Sequence, residues 1–270
     1  MGHIPFMTHS ETAAHPGSTA PQGALFVLAT DLDGTFLGGT PAARRALYDW
    51  IEAQRHEVGL IFVTGRDPHA IARFCAEDGV PMPSHVVGDV GTTIAEFDGA
   101  ELRPIPALEA EIAEAWADGA ALHALIEPLP GLRLQDAPFR YRLSYHYDAA
   151  LFDPASLEPI RARGYDVLIS HGCYVDILPR GISKGPSLLR LLAHLGLDQD
   201  SVLVAGDTLN DLSMFQTGLR GAVVGGSEEG LLRAVADLPR AHRCTAIGAA
   251  GIIEAIHAHG LHPAPPEIPA

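Results

Sequence analysis

Three short apolar runs, each ending abruptly at a cluster of polar residues, constrain the fold of this chain more than any other feature. They occupy residues 24–30, 58–64 and 201–206. Uninterrupted apolar runs of this length are typical of strands buried on both faces of a parallel sheet. Helical patterns lie between or after them, over residues 40–54, 67–78 and 183–195. This alternation predicts an α/β fold built on a doubly wound parallel sheet, with the working site at the carboxyl ends of its strands.

The middle of the chain has a different pattern. Asp98-Gly99 is a two-residue hairpin signal between predicted strands over 93–97 and 100–104. The predicted elements that follow are a helix over 107–127, strands over 132–136 and 139–147, a helix over 154–163, and strands over 165–170 and 174–178. They predict an α+β domain at residues 93–179, inserted into a core formed by residues 23–92 and 180–261. The terminal segments 1–22 and 262–270 are polar or proline-rich, so we expect them to be flexible.

The charge balance restricts the partners of this chain. It carries 33 acidic and 18 basic residues, a formal net charge of −15, and no local basic patch, so no nucleic-acid partner is expected. The first 22 residues lack the apolar segment of a signal peptide, and no apolar run reaches the length of a membrane span. We therefore expect a cytoplasmic protein, a monomer or a homodimer, that has no membrane partner.

Two carboxylates directly follow the first apolar run, in the sequence Asp31-Leu-Asp33-Gly-Thr35. They can converge only if the chain leaves its extended form, and Gly34 permits that turn. Taken alone, the motif also fits an ordinary solvated turn. The third apolar run ends in a second acidic cluster, where Asp207, Asn210 and Asp211 offer the oxygen ligands that suit Mg²⁺. Asn210 or Asp211 could equally cap the helix that follows.

Two further segments offer groups that attract phosphate. The second apolar run ends in Thr64-Gly65-Arg66, which supplies a hydroxyl and a guanidinium. Ser183-Lys184-Gly185 stands at a predicted helix start, where free backbone N–H groups and a lysine favour an anion. Alone, Lys184 would be taken as a surface residue. The four segments together combine a nucleophile, an acid, phosphate donors and metal ligands at one edge of the predicted sheet.

These motifs and their order resemble those of the haloacid dehalogenase superfamily, which has a Rossmann-like core. The long interval between Thr64 and Lys184 is where the second cap class of that superfamily inserts an α+β lid. Within this class, the stretch Val86–Ile94, the segment Asp176-Ile-Leu-Pro179 and the segment Ile182–Gly185 resemble the sucrose-phosphate phosphatase-like group. Mannosylfructose-phosphate and mannosyl-3-phosphoglycerate phosphatases are related to that group.

The resemblance implies a role for each motif residue. Asp31 would attack phosphorus and form an aspartyl-phosphate, and Asp33 would protonate the leaving alcohol and then deprotonate water. Thr64 and Lys184 would hold the phosphoryl oxygens. Mg²⁺ is the implied cofactor, and its expected ligands are Asp31, the backbone carbonyl of Asp33, Asp207, Asn210 and Asp211. Five further residues are expected to bind substrate, namely Thr35, Gly65, Arg66, Tyr145 and His171.

These roles predict a Mg²⁺-dependent phosphatase whose partner is a small phosphorylated sugar or glycosyl metabolite. Two alternatives stay open, a sugar phosphomutase of the same fold and a non-catalytic protein that binds a sugar phosphate. A mutase must reorient its substrate inside the closed cap, and no feature of the sequence indicates that step. The presence of both Asp31 and Asp33 favours an enzyme over a silent binding protein.

Overall fold

The computed structural model describes residues 24–99, 101–138 and 140–269, so the predicted N-terminal extension, residues 1–22, lies outside the described residues. The strands of the described part are β1 (Phe26–Thr30), β2 (Val58–Val63), β3 (His85–Gly88), β4 (Thr93–Asp98), β5 (Glu101–Pro104), β6 (Leu132–Leu134), β7 (Leu143–Tyr147), β8 (Tyr165–Ser170), β9 (Tyr174–Pro179), β10 (Val202–Gly206), β11 (Arg220–Gly225) and β12 (Ala241–Ile247). Its α-helices are α1 (Pro41–Ala53), α2 (Ile71–Asp78), α3 (Pro106–Ala115), α4 (His123–Ile126), α5 (Glu158–Arg161), α6 (Lys184–Leu195), α7 (Leu212–Phe215), α8 (Glu229–Ala234) and α9 (Ala249–Ala258).

Eight strands form one sheet in the order β12-β11-β10-β1-β2-β3-β4-β5. The six strands from β12 to β3 run parallel, and β4 and β5 complete the sheet as an antiparallel hairpin. Chain order reverses at β1, which lies between β10 and β2, and such a switch point opens a crevice at the strands' carboxyl ends. The predicted doubly wound α/β sheet is therefore confirmed.

The main sheet is covered by helices on both faces. Along β1, Phe26 and Leu28 belong to an apolar layer shared with α1, α2 and α9. Val27 and Ala29 belong to a second layer shared with α3, α6, α7 and α8. A strand that is buried on both faces needs apolar residues at every position, which explains the uninterrupted run in the sequence.

Helix ends in the core follow local capping chemistry. Helix α1 begins at Pro41, where Thr40 Oγ1 accepts a hydrogen bond from the backbone N–H of Ala43 at 3.1 Å. Helix α6 ends at Gly196, whose φ of +65° is the left-handed conformation that stops a helix.

The remaining strands form a separate antiparallel sheet in the order β6-β7-β9-β8. With α4 and α5 it makes a cap domain that has its own apolar core, which includes Tyr145 and Leu157. The cap is smaller than the predicted 93–179, because β4 pairs with β3 of the main sheet and α3 packs against the main core. Alternation along a hairpin shows which side chains share a face, but it does not show which sheet the hairpin joins.

The helix predicted over 107–127 is interrupted. Helix α3 ends at Ala115, and the chain turns so that the ring of Trp116 packs in the cap core before α4 begins at His123. A Cβ at Gly119 would lie 2.1 Å from the Trp116 ring, so a residue without a side chain is required at this turn. The strand predicted over 139–147 begins at Leu143, and Phe139 lies outside the described residues.

The C-terminal segment, expected to be flexible, packs against the core. His262 is buried, and its ring meets Trp50 edge-on with 5.0 Å between the ring centroids. His262 Nε2 lies 2.9 Å from Glu57 Oε2, and Trp50 Nε1 donates to the carbonyl of Ala264 at 2.9 Å. A proline-rich composition disfavours helix and strand, but it does not prevent an extended segment from packing. In the part of the chain that is described, no helix has the length and apolarity needed to cross a membrane.

Candidate active site

Asp31 stands at the carboxyl end of β1, at the switch point of the main sheet. The loop that follows turns sharply at Gly34, whose φ is +81°. A Cβ at this position would lie 2.2 Å from Asp207 Oδ2, so only glycine allows the loop to approach that carboxylate. Thr35 Oγ1 then donates to Asp207 Oδ1 at 2.8 Å. We expected the hydroxyl of Thr35 to bind substrate, but it donates to Asp207 and orients that carboxylate.

Lys184, the first residue of α6, lies at the centre of the site with its side chain fully buried. Its Nζ donates to Asp31 Oδ1 at 2.7 Å, to Asp211 Oδ1 at 2.6 Å and to Asn210 Oδ1 at 2.9 Å. Burial alone would lower the pKa of this ammonium, but attraction by Asp211 and Asp31 outweighs it and raises the pKa. Lys184 is also the only lysine in the 270-residue sequence.

Three carboxylates converge beside Lys184. One ligand oxygen each from Asp31, Asp207 and Asp211 lies within 4.8 Å of the others. Burial, together with repulsion from Asp211 and Asp207, raises the pKa of Asp31 to about 8 despite the attraction of Lys184. Burial and repulsion from Asp211 raise the pKa of Asp207 to about 6. One ammonium does not neutralise three carboxylates, and their hard oxygen atoms fit a divalent cation such as Mg²⁺.

Asp211 and Asn210, both in the expected metal set, are held by hydrogen bonds from the protein. Asp211 Oδ2 accepts hydrogen bonds from the backbone N–H groups of Asp207 and Thr208, at 2.9 and 3.0 Å, while Oδ1 accepts from Lys184. Asn210 Oδ1 accepts from both Lys184 and Thr208 Oγ1. These contacts suit residues that orient the lysine and the loop, because their acceptor atoms already have donors.

The carboxylate of Asp33 lies outside this cluster. Arg66 holds it through two hydrogen bonds, from Nε to Oδ2 at 2.9 Å and from Nη2 to Oδ1 at 2.5 Å. Thr64 is buried at the end of β2, and its hydroxyl accepts from the backbone N–H of Arg66 at 3.1 Å. Asp31 and Asp33 therefore have different surroundings, one buried beside an ammonium and the other paired with a guanidinium in the cleft.

A cleft of about 370 Å³ lies between the core and the cap, within the range of roughly 300–1,000 Å³ that is usual for small-molecule sites. Of the expected substrate residues, Gly65, Arg66 and His171 lie on its wall. Tyr145 does not line the cleft, so the prediction that it binds substrate is wrong. Its side chain is 1% exposed in the cap core, and its hydroxyl lies 3.0 Å from His123 Nδ1. Its neighbour in the strand, His146, faces the cleft instead.

A buried polar network that sequence reasoning missed joins the cap to the core. Arg142 Nη1 donates to Asp176 Oδ1 at 3.3 Å and to Ser144 Oγ at 2.9 Å, both within the cap. Its Nη2 donates to the carbonyl of Gly65 at 3.3 Å and to Asp89 Oδ1 at 3.0 Å, both in the core. Asp176 and Asp89 lie in the stretches that resemble sucrose-phosphate phosphatases, and that resemblance was the signal that could have found them.

The cap also meets the core through a second polar contact. His171 lies at the β8–β9 turn with a φ of +55°, and its backbone N–H donates to Glu228 Oε1 at 3.1 Å. Glu228 Oε2 accepts from the backbone N–H of Leu209 at 2.7 Å, in the loop that carries Asp207 and Asn210. The same carboxylate therefore connects the cap turn to the loop of the carboxylate cluster.

Comparison with known proteins identifies the family. A family model described as sucrose-6F-phosphate phosphohydrolase matches residues 24–260. A glucosylglycerol-phosphate synthase of Pseudomonas anguilliseptica is 40% identical over 230 residues, which cover 85% of this chain and 30% of the synthase. A mannosylfructose-phosphate phosphatase of Agrobacterium fabrum is 29% identical over 248 residues, which cover 88% of this chain and 98% of that phosphatase.

A solved structure gives the same result. The sucrose-phosphatase of Synechocystis, in complex with sucrose and phosphate, superposes with a TM-score of 0.80 at 26% identity, covering 88% of this chain and 98% of that one. The chain thus spans 30% of the length of the synthase, but nearly the whole length of both phosphatases. The resemblance to the sucrose-phosphate phosphatase-like group of the haloacid dehalogenase superfamily is confirmed. The chain belongs to the sucrose-6F-phosphate phosphohydrolase family.

Proposed function

We propose that this protein is a Mg²⁺-dependent phosphatase that releases inorganic phosphate from a phosphorylated glycoside. The observation that carries the proposal is Asp31, a buried carboxylate held by Lys184 beside two further carboxylates, at the floor of a cleft covered by a cap. The relatives named above are associated with glucosylglycerol phosphate, mannosylfructose phosphate and sucrose phosphate. All three are glycosides that carry a phosphate group, so this is the substrate class we infer.

Mg²⁺ would be held by Asp31 and Asp207, whose carboxylates are the least neutralised of the cluster. The backbone carbonyl of Asp33 would complete the protein ligands, and Asn210 and Asp211 would orient the lysine and the loop. When bound, the ion would offset the mutual repulsion of the carboxylates and the substrate phosphate.

In the first step, an Asp31 carboxylate oxygen attacks phosphorus in line, and the bond between phosphorus and the ester oxygen breaks. The products are an aspartyl-phosphate on Asp31 and the free alcohol. Lys184 and the hydroxyl of Thr64 hold non-bridging oxygens, because phosphoryl transfer depends mainly on positioning and charge. The three N–H groups of the Lys184 ammonium already donate to Asp31, Asp211 and Asn210, so one of these bonds must open when a phosphoryl oxygen binds.

Asp33 moves the protons in both steps. It donates a proton to the departing ester oxygen, then accepts one from the water that attacks the aspartyl-phosphate, which regenerates Asp31 and releases phosphate. In the structure Arg66 contacts both oxygens of Asp33. One of those bonds must therefore open when the ester oxygen or the water binds.

A phosphate-release screen tests the proposal. Glucosylglycerol phosphate, mannosylfructose phosphate and sucrose 6F-phosphate are offered with Mg²⁺ and again after chelation. We expect release from at least one of them, loss of release on chelation, and recovery when Mg²⁺ is restored. Folded Asp31→Asn protein is the control and should be inactive. An isomeric phosphorylated sugar without free phosphate would instead indicate a mutase, and binding without turnover would indicate a silent binding protein.

A further inference from the structure

Asp176 is a buried carboxylate of the cap that the proposed chemistry does not use. It lies on β9 with its side chain 8% exposed, and it lines the cleft. Arg142 Nη1 and Ser144 Oγ both donate to its Oδ1. Among the described residues no donor reaches Oδ2, so this oxygen is the acceptor that Asp176 offers to a ligand in the cleft. A buried carboxylate fixed on one oxygen is a pre-oriented acceptor for a hydroxyl group.

Asp176 stands close to the phosphoryl site. Its partner Arg142 also donates to the carbonyl of Gly65, the residue that follows Thr64. Burial raises the pKa of Asp176, and the nearby charges of Arg142 and, less strongly, Lys184 oppose that rise. A substrate whose phosphate lies against Asp31 and Lys184 would therefore present its phosphate-bearing alcohol to Asp176, and its second sugar to more distant parts of the cap.

The charges around Asp176 restrict what that alcohol can be. Arg142 on the cleft wall is shared by Asp176, which also lines the cleft, and by Asp89 of the core, so two carboxylates share one guanidinium beside this wall. A neutral alcohol can donate a hydroxyl hydrogen to Oδ2. A second carboxylate on the alcohol has no hydrogen to donate, and it would be repelled by Asp176 in a partly desolvated space.

We propose that Asp176 is a specificity-determining residue that accepts a hydrogen bond from a hydroxyl of the leaving alcohol, and so selects neutral polyols over glycerate. Arg142 and Ser144 are positioning residues that hold its carboxylate. This inference rests on the proposed function. The proposed hydrogen bond distinguishes glucosylglycerol phosphate from glycosyl phosphoglycerates. The two kinds of substrate share a three-carbon skeleton, but only the phosphoglycerates carry a carboxylate on it.

The test compares kcat/KM for three substrates, namely glucosylglycerol phosphate, the matching glucosyl phosphoglycerate, and an aryl phosphate that lacks any polyol. Native protein should prefer the polyol ester. Asp176→Asn should lower kcat/KM for that ester by about 10- to 100-fold, the usual cost of losing a hydrogen bond to a charged group. The same variant should hydrolyse the aryl phosphate at the native rate and should gain activity toward the phosphoglycerate.

Two further variants strengthen the comparison. Ser144→Ala leaves the Asp176 carboxylate in place but removes one of the two donors that hold it. Its kcat/KM for the polyol ester should therefore fall less than that of Asp176→Asn. Asp118→Asn removes an exposed carboxylate of the cap that is not on the cleft wall, and it should leave all three activities unchanged.

An equal loss on all three substrates would overturn the inference, since it would mean that Asp176 only supports the cleft. A native preference for the phosphoglycerate would overturn it as well. If Asp176→Asn does not fold, calorimetry on native protein decides, because dephosphorylated glucosylglycerol must bind more tightly than glucosylglycerate. Failure of the proposed function looks different, since native protein would then release phosphate from none of the three esters.

Discussion

The loss of stability on removing the Lys184 ammonium is the most demanding test of the electrostatic account of the site. Replacing Lys184 by Met keeps an unbranched side chain that is one heavy atom shorter, and removes an ammonium that is fully buried between Asp31, Asp211 and Asn210. Removing one partner of a buried ion pair leaves an uncompensated charge and typically costs about 3–5 kcal/mol. That is a large part of the roughly 5–15 kcal/mol by which a protein of this kind is stable. Urea unfolding followed by circular dichroism, in the presence of a chelator, measures the loss.

Two controls connect this loss to the buried charges. Arg233→Met breaks an exposed ion pair with Glu229 and should change the unfolding free energy by less than about 1 kcal/mol. Adding Asp211→Asn to Lys184→Met removes one of the stranded carboxylates, so the double variant should be more stable than the single one. A Lys184→Met protein with the urea midpoint of the native chain would refute the reasoning, because the site would then tolerate its carboxylates without the ammonium.

The remaining predictions concern other parts of the chain. In the first turnover, Asp33→Asn should slow release of the alcohol from a glycoside phosphate by about 10²–10⁴-fold and release of the phenol from an aryl phosphate far less, because a good leaving group needs no proton. An unchanged ratio of these two first-turnover rates would exclude Asp33 as the acid. Burial lowers the pKa of His85 from 6.5 to about 4, so the stability provided by its neutral ring is present above pH 6.5 and is lost as the pH falls toward 4. Linkage predicts that the free energy of unfolding falls by about 2 kcal/mol between neutral pH and about pH 5. This fall should be absent from the pH profile of urea unfolding in His85→Gln. Deleting residues 262–270 removes the contacts of His262 with Trp50 and Glu57, and should lower the unfolding free energy by about 1–2 kcal/mol; an unchanged melting temperature would mean that the tail contributes nothing.

The position of the candidate site could be predicted because its parts are local. Each motif directly follows an apolar run or opens a helix, and parallel strands bring their carboxyl ends to one edge of the sheet. That rule alone brings Asp31, Thr64 and Asp207 together. Residue types then indicate the chemistry, because clustered carboxylates suit a hard cation and a lysine at a helix start suits an anion.

The cap was harder to predict because its contacts are decided by packing over long sequence separations. In β7 a shift of one residue separates Tyr145, in the cap core, from His146 on the cleft wall, and both are amphipathic side chains. The pairing of Arg142 with Asp89 and Asp176 joins three segments whose approach depends on how the cap sits on the core. No periodicity in the sequence specifies that approach.

The central claim is that phosphate passes through Asp31. The direct measurement uses the Asp33→Asn variant, in which the slow second step should allow the intermediate to accumulate. The variant is mixed with Mg²⁺ and an aryl phosphate, whose alcohol leaves without a proton from Asp33, then quenched in acid within a single turnover, digested, and analysed by mass spectrometry. We predict one phosphoryl group on the peptide that contains Asp31, in an amount equal to the alcohol released. Release of alcohol with no phosphoryl group on Asp31, or with the group on another residue, would contradict the account.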